Sequence, residues 1–285
     1  MIWRPSLLTT RRLRKKFDHG AYRTALRLVV DAVISAEVTT QRARDAGGVP
    51  LPVVPAGTLT AVIKTFERQR ALYRLVASIQ RVQPGLPIII ADDSRDPQEV
   101  DGATVISMPF NSGISAGRNA ALRTVDTPYF LLLDDDFVFY RRTDLASVVA
   151  VMESTPEIDI VGGQVVNLPD YRVHDYAAAP LFPSAKPPRF EVGTLVGGLP
   201  TRPKVPNFFV GRTTAVKCVG WTDELKVIEH RDFFTRASGV LTTVQDETFR
   251  VLHARNPFDR GSAERDQNAA SAREELNRRY FASSG

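Results

Sequence analysis

The sequence Phe130-Leu131-Leu132-Leu133-Asp134-Asp135-Asp136-Phe137 places three consecutive carboxylates at the end of an apolar run. The apolar part is typical of a buried strand, so the acids stand where that strand ends. Adjacent carboxylates disfavour one another's ionised form and are rarely buried without a partner. A divalent cation such as Mg²⁺ or Mn²⁺, which prefers oxygen ligands, would neutralise them. The alternative is a solvated acidic turn.

The composition is that of a folded domain of catalytic size. Of the 285 residues, 43% are hydrophobic and 24% are charged, and no apolar run is long enough to span a membrane. Cys218 is the only cysteine, which excludes an internal disulfide and a cysteine-rich zinc site. The sequence contains neither a dinucleotide-binding glycine fingerprint nor a phosphate-binding loop motif.

The net charge of +5 is concentrated near the N-terminus. Residues 1–45 contain ten Lys and Arg against four Asp and Glu, so the remainder of the chain is close to neutral. Five of the basic residues form one group: Arg11, Arg12, Arg14, Lys15 and Lys16. The apolar segment that follows is predicted to be a helix, which either packs on the main domain or brings residues 11–34 into peripheral contact with an anionic membrane. No nucleic-acid-binding motif accompanies the charge, so no nucleic-acid partner is expected.

Helix and strand patterns alternate after a Pro- and Gly-rich linker at residues 46–58. The predicted strands are 59–64, 86–91, 104–107 and 129–133, and the predicted helices are 67–82 and 115–125. This alternation predicts an open α/β sheet with parallel strands and right-handed crossovers. Ligands bind such sheets at the carboxyl ends of strands, where Asp92-Asp93 and the acidic triplet both fall.

Two acidic strand ends suit a nucleotide sugar. A carboxylate at the first strand end, Asp92-Asp93, can accept a hydrogen bond from a base or ribose. The second strand end, the acidic triplet, can hold the metal that bridges a diphosphate. The segment Lys64-Thr65-Phe66-Glu67-Arg68 closes the first strand and is expected to cover the nucleotide from the other side, which makes Thr65 and Arg68 candidate contacts. Arg118 follows a loop of small residues at a predicted helix start. Because a guanidinium and a helix N-terminus both favour anions, Arg118 is expected to contact the diphosphate or the base.

Several segments, in their order along the chain, carry a resemblance to a known family. They are residues 62–68, 89–94, 116–119, 133–139, 160–163, 206–213 and 230–234. Together they resemble the GT-A glycosyltransferases of the family-2 type, and more narrowly the β-1,4-N-acetylgalactosaminyltransferases that make the gangliosides GM2 and GD2. The resemblance implies an α/β GT-A fold, with a Rossmann-like open, mixed, mostly parallel sheet flanked by helices, in a single catalytic domain.

The resemblance also implies a division of the chain. Residues 1–57 would be a basic helical arm and linker, residues 58–255 the GT-A domain, and residues 256–285 a polar C-terminal tail. Residues 168–204, rich in Pro and Gly, are expected to be a mobile loop that binds the acceptor.

The activity implied by the resemblance is metal-dependent, inverting transfer from a UDP-sugar. GalNAc is the first candidate sugar, and the acceptor is a hydroxyl of a glycan, a glycolipid or a small molecule. By motif position, Asp93 would contact the uracil, Asp134 the ribose side, and Asp136 the Mn²⁺ or Mg²⁺, with Asp135 nearby. His253 stands where such folds supply a further metal ligand.

Inversion requires a base on the acceptor hydroxyl. Asp232 stands where the resembling enzymes carry a Glu before an aromatic pair, and Glu229, one helical turn earlier, is the second candidate. Alternatively, Asp232 pairs with a neighbouring arginine. Trp221 is predicted either to form part of the floor under the donor sugar or to pack in the core.

Two other functions remain open. One is a metal-dependent sugar nucleotidyltransferase, which would require a glycine-rich loop with a basic residue directly after the first strand. The other is a catalytically inactive GT-A domain used as a binding module. A cytoplasmic location, including the inner surface of a membrane, is expected because the sequence shows no membrane anchor.

Overall fold

The structure is a computed structural model that describes residues 20–175, 180–183, 185–258 and 262–281. The basic group Arg11, Arg12, Arg14, Lys15 and Lys16 lies outside the described residues. The helices are α1 (Gly20–Asp45), α2 (Gln69–Val82), α3 (Ile114–Arg123), α4 (Leu145–Ser154), α5 (Thr213–Val219), α6 (Glu229–Ala237) and α7 (Ser262–Tyr280). The strands are β1 (Leu59–Thr65), β2 (Ile88–Asp92), β3 (Thr104–Ser107), β4 (Tyr129–Asp134), β5 (Phe137–Val138), β6 (Ile160–Asn167), β7 (Arg172–Val173), β8 (Leu195–Val196), β9 (Leu199–Pro200), β10 (Phe209–Arg212) and β11 (Thr243–His253).

The sheet has the order β3-β2-β1-β4-β10-β6-β11-β5, with β7 paired to β6. Strands β3, β2, β1 and β4 pair in parallel, as do β6 and β11. Strand β10 runs antiparallel to both of its neighbours, and β8 and β9 form a separate hairpin. The predicted α/β fold with an open, mixed sheet is therefore confirmed, and the first four strands and two helices lie close to their predicted positions.

The central strands are buried on both faces of the sheet. On β4, Leu131 and Leu133 belong to one hydrophobic cluster, whereas Phe130 and Leu132 belong to the cluster on the opposite face. The apolar stripe of α2 covers the first of these faces with Leu75 and other buried residues. Each fully buried aliphatic or aromatic side chain contributes about 1.5–3 kcal/mol to folding, so these two layers fix the position of the strand ends.

The carboxyl ends of β1, β2 and β4 meet at one edge of the sheet. Lys64 pairs in register with Asp134, and Thr65 pairs with Asp92. The chain then turns at Asp135 and Asp136 into β5. The two acidic strand ends predicted to lie at one crevice are therefore neighbours in space.

Helices α1 and α7 lie at the two ends of the described chain. Helix α1 packs Ile34 and Val38 against residues of β5, β6 and β11, while α7 packs Ala272 and Leu276 beside Leu225. Within the described ranges, no helix is both long enough and apolar enough to cross a membrane.

Candidate active site

A crevice opens at the carboxyl edge of the sheet. Its acidic lining consists of Asp93, Asp134, Asp135 and Asp136, and its basic lining consists of Lys64, Arg68, Lys226 and Arg255. His253 and Asn268 complete the polar wall. A cleft in which carboxylates alternate with basic groups fits a ligand that carries phosphates and a bound cation.

The three acids of the triplet have different partners. Asp135 accepts hydrogen bonds from Thr65 Oγ1 (2.8 Å) and from the guanidinium of Arg68. Asp136 Oδ2 accepts from Arg68 Nη1 at 2.7 Å, and Asp134 Oδ1 accepts from Arg118 Nη2 at 2.9 Å. Asp135 is therefore held by residues of β1 and of the turn that follows it. Asp134 is oriented by Arg118 of α3. Thr65, predicted to contact the nucleotide, supports Asp135 instead.

Asp136 and His253 form the part of the site that suits a cation. His253 Nε2 lies 3.3 Å from Asp136 Oδ1, a buried oxygen for which the described residues supply no other hydrogen-bond partner. His253 Nδ1 donates to Asn167 Oδ1 at 2.8 Å, so in the neutral form of the ring, the form that binds a metal, Nε2 presents a lone pair. A carboxylate oxygen and an imidazole lone pair facing each other form a pair of donors for a divalent ion.

Charge around the triplet shifts its ionisation. Burial alone would raise the pKa of Asp136, but the Arg68 guanidinium, together with the His253 ring in its protonated form, outweighs it and holds the pKa well below its ordinary value. Burial raises the pKa of Asp134 to about 6 against the opposing effect of Arg118, and Asp136 and Glu229 add to the rise. The site thus contains one carboxylate that stays ionised and one that takes up a proton near pH 6.

Protein side chains supply only part of a coordination shell at this site. Within the described residues, no three His, Cys, Asp or Glu side chains converge as a complete metal site. Mg²⁺ and Mn²⁺ need few protein ligands when phosphates and water supply the others. Asp136 and His253 therefore fit an ion that is shared with a diphosphate.

Asp93 lies at the end of β2 and is held in place from two sides. Its Oδ1 pairs with Lys64 Nζ, and its Oδ2 accepts from the backbone N–H of Gly113 at 2.8 Å. Gly113 has φ +98°, and a Cβ there would lie 2.5 Å from the Cα of Lys226. Only glycine fits this position without displacing the loop that carries Lys226. Asp93 lines the crevice, as predicted, and its contact with a uracil stays a prediction.

The prediction that Arg118 contacts a diphosphate does not agree with its position. Its side chain is fully buried behind the crevice wall, where Nη1 bonds Glu229 Oε1 at 2.5 Å and Nη2 bonds Asp134. A buried guanidinium is retained because two carboxylates neutralise it. Arg118 therefore orients Asp134 rather than facing the ligand, and Glu229, which also accepts from Asn207 (3.4 Å), is its structural partner.

Asp232 does not line the crevice in this structure. It is fully buried on α6, where Thr222 Oγ1 and Arg236 Nε donate to Oδ2 and the Tyr280 hydroxyl donates to Oδ1. The expected pairing with a neighbouring arginine is present. The expected exposure to an acceptor is absent, because Tyr280 on α7 covers the carboxylate.

Trp221 is a core residue. It is 5% exposed and stacks on Phe233 with ring centroids 4.9 Å apart and an interplanar angle of 18°. The alternative prediction that it forms the floor under the donor sugar does not agree with this position, because Trp221 belongs to the hydrophobic cluster that contains Phe209 of β10 and is not part of the crevice lining described above.

Four polar residues of the crevice wall were not predicted from the sequence. Lys226 and Arg255 are exposed and basic, and Asn268 Nδ2 on α7 donates to Asn111 Oδ1 at 2.8 Å. Arg255 could have been found from the sequence, because it stands two positions after His253 at the end of β11. The positions of Lys226 and Asn268 follow from tertiary packing and have no local signal.

Known proteins share this fold and sequence pattern. The sequence profile described as Glycosyl transferase family 2 matches residues 60–220, more than half of the chain. Beta-1,4 N-acetylgalactosaminyltransferase 1 of Rattus norvegicus is 38% identical over 207 residues, which cover 69% of this chain and 39% of the rat protein. The chain thus spans about two fifths of the length of the curated relatives it matches.

Solved structures agree on the fold. The crystal structure of S. aureus TarS 1–349 superposes with a TM-score of 0.52 at 16% identity, covering 80% of this chain and 72% of that one. GalNAc-T7, solved with UDP, GalNAc and Mn²⁺, superposes with a TM-score of 0.52 at 14% identity, covering 69% and 43%. These neighbours are GT-A glycosyltransferases, and they agree with this chain in fold. The profile match over more than half of the sequence shows that the chain belongs to glycosyl transferase family 2.

Proposed function

We propose that this protein is a metal-dependent, inverting glycosyltransferase that moves a sugar, with GalNAc the first candidate, from a UDP-sugar to a hydroxyl of a glycan or glycolipid. The observation that supports this most is the pair formed by Asp136 Oδ1 and His253 Nε2 beside the basic lining of the crevice. The choice of GalNAc rests on the rat relative, whose name states that sugar.

The donor's diphosphate is expected at the corner between Asp136 and the basic side chains. Asp136 and His253 would hold Mn²⁺ or Mg²⁺, which when bound neutralises charge on the leaving diphosphate. Arg68, which binds Asp135 and Asp136, and Arg255 supply further positive charge there. We propose that Asp93 accepts a hydrogen bond from the base and that Asp134 accepts one from the ribose.

Transfer with inversion requires that the acceptor oxygen attack from the side opposite UDP. The acceptor oxygen forms a bond to the anomeric carbon while the bond from that carbon to the diphosphate oxygen breaks, and UDP leaves with the electron pair. The hydroxyl proton passes to a carboxylate. We propose Asp232 as this base and Glu229 as the second candidate, although Glu229 is committed to Arg118 in this structure.

We also propose peripheral contact between α1 and an anionic membrane. The outward side of α1 exposes Leu28 (49%), Val29 (61%) and Val33 (44%), while Ile34 on the other side is buried. Apolar residues on the free face of a helix next to a basic segment are typical of helices that lie in the interface of anionic lipid. A membrane surface would also present a glycolipid acceptor.

Sedimentation with vesicles tests the membrane contact. Wild-type protein should sediment with phosphatidylglycerol vesicles and not with phosphatidylcholine vesicles, and Val29→Asp should reduce the bound fraction. Thr40→Asp is the matched control, because it adds the same charge to an exposed position on the same helix. Equal sedimentation of Val29→Asp and wild type would contradict the contact.

A thermal-shift panel tests the proposed function. UDP-, GDP-, TDP- and CMP-sugars are compared with and without Mn²⁺, and only the UDP-sugars are expected to raise the midpoint, in a metal-dependent way. Asp136→Asn should lose the metal-dependent part, whereas Asp126→Asn, at an exposed position, should not. If no nucleotide stabilises the wild-type protein in a metal-dependent way, the proposal fails.

Product analysis separates the two alternatives. A nucleotidyltransferase would make a UDP-sugar from UTP and a sugar 1-phosphate and release diphosphate. The sequence after β1, Phe66-Glu67-Arg68, lacks the glycines expected of such an enzyme. An inactive binding module would bind UDP-GalNAc with Mn²⁺ and release no UDP, even with water as the acceptor.

A further inference from the structure

The C-terminal helix contacts the proposed base directly. Tyr280, the last residue of α7, donates its hydroxyl proton to Asp232 Oδ1 at 2.7 Å. Within the described part of the chain, Tyr280 is the only hydrogen-bond donor to this oxygen, because Thr222 and Arg236 both bond Oδ2. One carboxylate oxygen is therefore held by the fixed body of the domain and the other by α7.

The ring of Tyr280 lies on an aromatic platform that belongs to the same part of the domain as Asp232. It stacks on Phe182 with centroids 4.2 Å apart and an interplanar angle of 8°. Phe182 is tied to α6, because its N–H donates to Thr235 Oγ1 (3.1 Å) and the guanidinium carbon of Arg231 lies 3.9 Å from its ring centroid. The distance between platform and carboxylate is thus fixed by one helix.

The ring of Tyr280 stacks on Phe182 while its hydroxyl bonds Asp232. A sugar could make the same two contacts. A pyranose presents an apolar C–H face that packs on an aromatic ring, and hydroxyls at its edge that donate to a carboxylate. Sites for small ligands combine apolar, aromatic walls with a few convergent polar groups in this manner.

We propose that Phe182 and Asp232 form the subsite for the acceptor sugar and that Tyr280 occupies this subsite in cis. The inference rests on the proposed function, in which Asp232 accepts the acceptor's proton. The acceptor pyranose replaces the ring of Tyr280 on Phe182, and its reacting hydroxyl replaces the phenol on Oδ1. Helix α7 must therefore leave before transfer, which makes Tyr280 a built-in competitor of the acceptor.

Arg236, a partner of Asp232 Oδ2, is held more firmly than the partner of Oδ1. The proposal requires this difference, because only the partner of Oδ1 has to leave. Arg236 is fixed, since its Nη1 and Nη2 donate to the backbone oxygens of Val219 (2.7 Å) and Gly220 (2.8 Å). Among the α7 side chains that the structure describes, Ala272 and Leu276 are buried in a small cluster on which Tyr280 also packs. Because this buried apolar surface is small, the helix is a candidate for local opening.

The same helix also reaches the donor crevice. Asn268, which lines the crevice, donates to Asn111 in the loop before α3. Asn111 in turn donates its backbone N–H to the backbone oxygen of Asp93 at 3.0 Å. These two hydrogen bonds connect Asp93 to α7. A nucleotide that binds at Asp93 would therefore change how firmly α7 is attached, and so whether Asp232 is accessible.

Binding of a simple pyranoside by the full chain tests the proposal. Methyl β-D-galactopyranoside is titrated into wild type and variants in the presence of UDP and Mn²⁺, with saturation-transfer NMR as the readout. Tyr280→Ala should lower the apparent Kd at least about fivefold, because it removes a neutral hydrogen bond and a stacked ring that compete with the sugar. Adding Phe182→Leu should remove this gain.

The control is Phe281→Ala. Phe281 also contacts the Phe182 ring, edge to face at 5.9 Å, so its loss loosens the same end of α7 without uncovering Asp232. It should leave the Kd within about twofold of wild type. Tyr280→Phe, which keeps the ring and removes only the hydroxyl, should give a gain between wild type and Tyr280→Ala, and it carries the test if Tyr280→Ala fails to fold.

Two failures are distinguishable. If wild type and all variants bind UDP with Mn²⁺ while Tyr280→Ala and Tyr280→Phe bind the pyranoside no better than wild type, the proposed subsite is wrong and the proposed function stands. If wild type does not bind UDP and neither Tyr280 variant gains affinity for the pyranoside, both are overturned.

Discussion

His253 Nε2 and Asp136 Oδ1 lie 3.3 Å apart, although the two atoms are separated by more than a hundred residues of sequence. The pairing of β11 with β5 brings them together, since His253 is in register with Phe137, the residue after Asp136. Asn167 then sets the tautomer of the imidazole from the neighbouring strand β6. Three strand ends thus contribute to one proposed cation site.

Removal of Asn167 tests the orientation of His253. Asn167→Ala should weaken Mn²⁺ binding, measured by electron paramagnetic resonance with UDP present, by about tenfold or more, the usual effect of losing a residue that orients a metal-binding histidine. His253→Ala should weaken it at least as much. His174→Ala, which changes an exposed histidine, is the control. Unchanged Mn²⁺ binding by both crevice variants would show that the ion does not use His253.

Substitution of Arg118 tests its structural role. Because Arg118 is fully buried and neutralises Asp134 and Glu229, Arg118→Met leaves a buried carboxylate unpaired and should lower the free energy of unfolding by about 3 kcal/mol or more in urea titrations. Arg123→Met, at an exposed position on the same helix, should have little effect. If both variants lost the same free energy of unfolding, the buried ion pairs of Arg118 would not be a specific source of stability.

The ionisation of Asp134 gives a pH-dependent prediction. Burial raises its pKa to about 6, so in the ligand-free protein ¹³C NMR of the Asp134 carboxyl should report a midpoint near pH 6. Because the folded-state pKa exceeds the unfolded one, this group makes the fold less stable as the pH rises from about 4 to about 6. Mg²⁺ should lower the midpoint, since a nearby cation favours the charged carboxylate. A midpoint near 4 without ligand would contradict the raised pKa of this half-buried carboxyl.

Much of the fold was predictable from the sequence because local patterns and tertiary structure agree. The apolar run of β4 is buried on both faces, and the acids that follow it emerge at the edge where β1 and β2 also end. Patterns with the period of a strand or a helix report burial directly, so strands and helices with strong patterns were placed well.

The roles of individual side chains were less predictable, since each depends on a residue distant in sequence. Arg118 has the chemistry of a phosphate ligand, and only its contact with Glu229 shows that it is a buried structural residue. Asp232 has the chemistry of a base, and only the return of α7 at Tyr280 shows that it is covered. Such contacts follow from helix packing and leave no mark on the local sequence.

In the proposed function, the cation site binds UDP and the base serves only the transfer step. One pair of variants tests this division most directly. UDP affinity with Mn²⁺ and the rate of transfer from UDP-GalNAc are measured for Asp136→Asn and Asp232→Asn. Asp136→Asn should lose metal-dependent UDP binding, while Asp232→Asn should bind UDP as wild type does and lose about 10² or more in rate, the usual scale for a general base. Equal loss of UDP binding in both variants, or an unchanged rate in Asp232→Asn, would contradict the account.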